Sequence, residues 1–223
     1  MPKLNHPYVS VSGNGGSYGG NQGWADSKRL RGCGCGVVAG TDLMLYLHRS
    51  HPQYRSTLFA EVPEEGELSQ ELYLKLLREV NRRYLPVIPY FGMNGFTLAG
   101  GLNRYFRRSE IDLRAGWRVL PFGLWETMER MLEEDIPVIF SIGANFPMVW
   151  RQQKLKLYVK RGDTYLSTKA VNAHYVTVTG MDEKWLEVAT WGKRYYINRE
   201  EFTRYVRRYS CYVFSNCLGI RTR

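Results

Sequence analysis

The sequence predicts an α+β fold: a helical N-terminal part packed on a mostly antiparallel β-sheet. Three observations carry this. Apolar stripes at helical spacing, with capping and stop residues, dominate to about residue 135. From residue 137 onward, short β-branched and aromatic segments replace them, often alternating. Helices followed by strands, rather than alternating with them, favour α+β over a βαβ chain. The 223 residues, 44% hydrophobic and 14% aromatic, suffice to bury one full core.

The elements follow in order. Residues 1–20 read as a flexible Gly-rich arm, because SGNGGSYGGNQG (12–23) holds six glycines. That leaves 21–223 as a single domain. A helix is expected from Val37 to about His48. Pro52, Pro63 and Gly66 mark 51–67 as a loop. A second helix starts at Ser69, a good N-cap, carries Leu72, Leu76 and Val80 on one stripe, and ends before Pro86. GFTLAGGLNRYFRR (95–108) is a third helix. Residues 123–135 form a fourth, with Leu124, Met128, Met131 and Leu132 inward and Pro137 as its stop. Strands are expected at 137–143, 156–160, 174–181, 185–190, 193–198 and 211–214, with a short helix near 199–208.

The net charge is +10, from 31 Lys and Arg against 21 Asp and Glu. Such a surface attracts nucleic acid, anionic lipid or acidic peptides. No nucleic-acid recognition motif accompanies the charge, so nucleic acid is not the expected partner. Of the pairs Arg82-Arg83, Arg107-Arg108 and Arg207-Arg208, two sit at helix-like C-terminal ends, where cations are favoured. No apolar run approaches the roughly 18 residues of a membrane span. The N-terminus lacks the apolar core of a signal peptide, so a cytoplasmic location is expected, with secretion by a non-classical route left open. Four cysteines are too few for a disulfide scaffold, and reduced thiols are expected.

Two of those cysteines, Cys33 and Cys35, precede the apolar run of the first helix in RGCGCGVVAG. Thiolate is the reactive form, and a helix N-terminus favours negative charge, so Cys35 suits a nucleophile. Flanking glycines would let a substrate backbone approach. Buried, inert cysteine is the competing reading. A zinc site fits poorly, because C-x-C lacks the usual spacer and Cys211 and Cys217 form no matching knuckle. Of the four histidines, His6 lies in the arm, and His48 and His51 flank a helix end. His174 opens the strand AHYVTVTG, where an imidazole could serve as base or simply satisfy a carbonyl.

Taken in order, NQGW (21–24), GCGVVAGTDLMLYL (34–47), AHYVTVTG (173–180) and VATWGKRYYI (188–197) resemble the papain-like cysteine peptidase superfamily, most closely its bacterial peptidase C39-like branch. The resemblance implies a papain-like domain over 21–223 with Cys35 as nucleophile and His174 as general base. It implies Gln22 as an oxyanion-hole donor beside the Cys35 N–H, and Trp191 as a shield over the base. Ala189 stands at the family's asparagine position. Thr190 beside it would orient the ring, or Glu187 if its strand face permits. Gln22 lies 13 residues before Cys35, a longer gap than in papain, so an insertion must loop out. The implied activity is that of a thiol protease or amidase-type hydrolase acting on a peptide, isopeptide or amide bond, without cofactor or metal. The implied partner is a peptide or protein substrate, and the +10 charge suits an acidic one. The alternatives are a non-catalytic papain-fold binding module for an acidic peptide and an acyltransferase or transglutaminase-type enzyme at the same site.

Overall fold

A computed structural model describes residues 1–13, 16–88 and 92–223. It is α+β. Among the described residues six α-helices accompany a six-stranded and a two-stranded antiparallel sheet. The helices are α1 (Lys28–Cys33), α2 (Cys35–Ser50), α3 (Gln70–Arg83), α4 (Gly95–Arg108), α5 (Leu124–Glu133) and α6 (Arg199–Tyr209). The strands are β1 (Leu113–Trp117), β2 (Val138–Ile142), β3 (Leu155–Arg161), β4 (Thr164–Val171), β5 (His174–Met181), β6 (Trp185–Thr190), β7 (Lys193–Asn198) and β8 (Leu218–Thr222). The large sheet runs β2-β5-β6-β7-β3-β4, and β1 pairs with β8.

Helix α2 is the axis of the molecule. Every residue from Gly36 to Leu47 is buried, so it is covered on all sides rather than along one stripe. It packs on β5, which is itself buried along its whole length. Side-chain caps start the other long helices. Ser69 Oγ accepts from Leu72 N–H at 3.2 Å, Asn94 from Thr97 N–H at 2.8 Å, and Asn198 from Glu201 N–H at 3.0 Å. All three arginine pairs lie in the last turns of helices α3, α4 and α6, where the helix dipole accommodates them.

Several expectations need correction. Residues 1–20, expected as a flexible arm, are anchored along the body by buried side chains and backbone bonds, although Met1 and several other residues stay exposed. Leu4, Tyr8, Val9 and Val11 are buried, and Lys3 bridges to Gly180. The reason lies in the sheet: β2 pairs with β5 only as far as Val178, and the N-terminal segment takes the edge beyond it. Residues 211–214 form a turn, not a strand. Phe214 and Ser215 N–H both return to the Cys211 carbonyl. Strands β1, β4 and β8 and helix α1 were not anticipated.

Candidate active site

Helices α1 and α2 meet at Gly34, which ends one and begins the other. A Cβ there would lie 2.3 Å from the Leu30 carbonyl oxygen, so the close junction requires glycine. Cys35 is therefore the first residue of α2, as its candidate role demands. Cys33 ends α1. All four cysteines are free.

Cys35 keeps part of its surface open. Around its sulfur stand the backbone N–H groups of Tyr175, Gly36 and Cys35 itself. Burial nevertheless outweighs them and pushes the thiol pKa up. The resting group is a neutral thiol, not the ready-made thiolate that a helix N-terminus alone suggests.

His174 neighbours Tyr175 at the start of β5 and is buried. Its Nε2 lies 2.7 Å from Thr190 Oγ1. Thr190 ends β6, and the chain turns at once through Trp191 and Gly192 into β7, with Thr190 opposite Lys193. Both turn residues have positive φ, 51° and 70°, the pattern of a two-residue hairpin whose twist matches the strands. Glycine adopts this freely, whereas tryptophan does so under strain. The strained turn lays the Trp191 indole on the His174 ring, with centroids 4.5 Å apart and planes at 23°. Lys169 Nζ sits 4.5 Å from the indole centroid. Ala173, directly before His174, is a second non-glycine residue at positive φ, 49°.

Burial first, and the Lys169 charge second, push the His174 pKa down to about 4. The imidazole is thus neutral. Nε2 is engaged by a hydroxyl, and Nδ1 has no hydrogen-bond partner among the described residues. Glu187, the other candidate orienter, is excluded by strand alternation. It lies two residues before Ala189 and faces away from Thr190, toward Tyr18 (2.9 Å) and Tyr196 (3.3 Å).

Gln22 lies in a short 3₁₀ turn (Gln22–Trp24), and its amide donates to the Arg31 carbonyl at 2.7 Å. The long gap to Cys35 is filled by this turn and α1. The turn is tied toward the histidine hairpin: Gly192 N–H donates to Gly20 O and Tyr18 N–H to Gly192 O, each at 2.9 Å. On its other side, Gly20 N–H donates to Asp42 of α2.

The sequence names Cys35, His174, Gln22, Thr190 and Trp191 as candidates and does not single out Lys169 or Tyr175, which the fold brings to the same region. Tyr175 follows the histidine directly, and that adjacency was the available signal. Lys169 had none, because its strand was not anticipated. Among the described residues, no group of three or more His, Cys, Asp and Glu side chains is arranged to hold a metal ion. No helix of the described chain is long and apolar enough to cross a membrane. Compared with protein-family models, curated proteins and solved structures, the chain matches none.

Proposed function

We propose that this chain is a papain-like cysteine–histidine enzyme that cleaves a peptide, isopeptide or amide bond through an acyl-thioester on Cys35. One observation carries the reading. His174, held through Nε2 by Thr190 and covered by Trp191, adjoins the Tyr175 N–H that faces the Cys35 thiol at the mouth of α2. Two strained non-glycine residues, Ala173 and Trp191, flank that histidine, and such strain collects at functional sites.

The chemistry follows from the protonation states. Thiol and imidazole are both neutral at rest. As Cys35 Sγ attacks the carbonyl carbon, its proton passes to His174 Nδ1. The oxyanion meets the Cys35 N–H and a Gln22 amide proton not committed to Arg31. When the C–N bond breaks, imidazolium returns the proton to the leaving amine. A histidine whose pKa is about 4 is a weak base but a strong acid for that step. Water, deprotonated by His174, then hydrolyses the thioester; an amine acceptor would give acyl transfer instead. The substrate is a peptide or protein, acidic in keeping with the +10 charge.

Single-turnover kinetics with thiol-probe labelling test this. Cys35→Ala abolishes turnover and labelling. Cys33→Ala leaves most of both. His174→Ala abolishes turnover. If Cys33→Ala is the inactive variant, the nucleophile is misassigned by two residues. The raised thiol pKa favours one rival, a non-catalytic papain-fold binding module, and that reading prevails if none of the three variants matters.

A further inference from the structure

We propose that an apolar and basic surface beside the cysteine docks the acyl substrate, and that its occupant is an extended peptide carrying large apolar side chains together with Asp or Glu. This rests on the acyl-transfer reading and names the substrate class for it.

Three segments build the surface: 117–122, 144–154 and 207–216. Contacts join them around the 211–216 turn. Trp117 Nε1 donates to Val213 O at 2.8 Å, Asn216 Nδ2 to Leu120 O at 3.1 Å, and Phe146 N–H to Tyr209 O at 2.9 Å. The Phe146 and Phe214 rings lie 5.5 Å apart. On this frame Phe122 is 77% exposed, Trp150 73%, Val149 67% and Leu120 60%. Single exposed apolar residues are ordinary, but a cluster of this kind marks a binding surface. Aromatic residues and arginine are the types that dominate binding energy at such surfaces.

Charge selects the occupant. The three segments contain Arg118, Arg151, Lys154, Arg207 and Arg208, and no Asp or Glu. The nearest acid in sequence, Glu126, belongs to the first turn of α5. A second copy meeting the same face would set these cations against one another, so self-association is disfavoured. Carboxylates on the partner would complement them.

Continuity selects a peptide over a lipid surface. Trp117 is half-buried, and its ring lies 6.3 Å from that of Tyr175, edge to face. Tyr175 supplies the N–H that faces the Cys35 thiol. One aromatic contact therefore links the patch to the reacting sulfur, as substrate recognition requires and membrane attachment does not.

The test uses the full chain carrying Cys35→Ala, so that bound peptide persists, with fluorescence anisotropy as the readout. Three labelled decapeptides serve as probes: one mixing Phe and Leu with Glu, one with Ser for the apolar residues, one with Lys for Glu. We expect the first to bind and each of the others to bind at least about 10-fold more weakly. Adding Phe122→Ser with Trp150→Ser, or Arg151→Glu with Lys154→Gln, should each weaken the first peptide by about 10-fold or more. Circular dichroism confirms folding. The proposal is overturned if the three peptides bind equally, if neither pair of changes matters, if only phosphatidylserine vesicles bind, or if the patch changes instead abolish self-association in sedimentation. The two readings fail separately. Turnover by the Cys35 chain with KM unmoved by patch changes removes the docking surface alone. Peptide binding at the patch without turnover removes the acyl-transfer reading alone.

Discussion

Gly20 N–H donates to Asp42 Oδ2 across 2.9 Å, which fastens the loop leading to Gln22 onto the buried axis helix. Tyr73 Oη donates to the other carboxylate oxygen at 2.8 Å, and Tyr8 Oη approaches Oδ2 at 3.4 Å. Space is as tight as the bonding. A Cβ on Gly20 would lie 1.7 Å from Tyr73 Oη. Despite three donors, burial raises the Asp42 pKa to about 7.

That value carries a sign. The folded state holds the Asp42 proton more tightly than the unfolded chain does. Its contribution to stability is fully present below about pH 4 and is lost as pH rises through 7. The whole effect amounts to roughly 4 kcal/mol. Asp42→Asn keeps an acceptor for Gly20 and removes the titration. We expect urea denaturation to show the variant gaining on the parent between pH 4 and 8. A stability difference that stays flat with pH would refute it.

Thr190→Val removes the hydroxyl that holds His174 Nε2 and leaves a buried ring nitrogen unpaired. A lost buried hydrogen bond costs about 1–3 kcal/mol, so turnover should fall by about 5- to 150-fold. Thr190→Ser, which restores the hydroxyl, should recover most of it. Loss in the serine variant as great as in the valine variant would mean that the methyl group, not the bond, matters.

The acid limb of kcat/KM should lie near pH 4, because His174 must be neutral to accept the thiol proton. Lys169→Glu replaces a charge that lowers the His174 pKa with one that raises it, so the limb should move upward. A limb near pH 6.5 in the parent would place the imidazole in a wetter setting than its burial indicates.

Gln22→Ala acts on the oxyanion and not on the thiol. Turnover should slow by about 10²–10³ while probe labelling of Cys35 is spared. Equal loss of both signals would show that the residue holds the α1 junction through Arg31 instead.

How much of this was legible in the sequence depends on locality. Helices α3 and α4 carry their own caps and stripes, and α5 its stripe and the Pro137 stop, so local reading suffices. Strand β5 is legible because the residues from Tyr175 to Gly180 are β-branched, aromatic or small, and the whole strand is buried. Strands β1 and β8 escape because each exists only by pairing with the other, Leu113 with Thr222, across most of the second half of the chain. Residues 211–214 mislead because a turn bearing exposed Val213 and Phe214 has the composition of a strand. The glycines near the N-terminus suggest freedom, but at 19 and 20 they serve close approach to Asp42 and Tyr73. The position of Cys35 at the start of α2 and the neighbourhood of His174 and Thr190 were legible through their order and their neighbours. Lys169 and the Asp42 anchorage become visible only once the chain is folded.

Those N-terminal contacts also bear on how the chain is made. Lys3 bridges to Gly180, Asn5 N–H donates to Asp135 Oδ1 at 2.7 Å, and Gly20 O accepts from Gly192. This segment thus leaves a ribosome more than a hundred residues ahead of the partners it pairs with. Contacts this distant in sequence form slowly, because a long loop must close before they yield any stabilisation. Helices α3 and α4 can form early from local interactions, whereas the Gln22 turn finds its seat only after the β6–β7 hairpin exists. The candidate site is therefore assembled late, and a chain interrupted before about residue 192 would display Cys35 without the hairpin that carries Thr190 and Trp191 against His174.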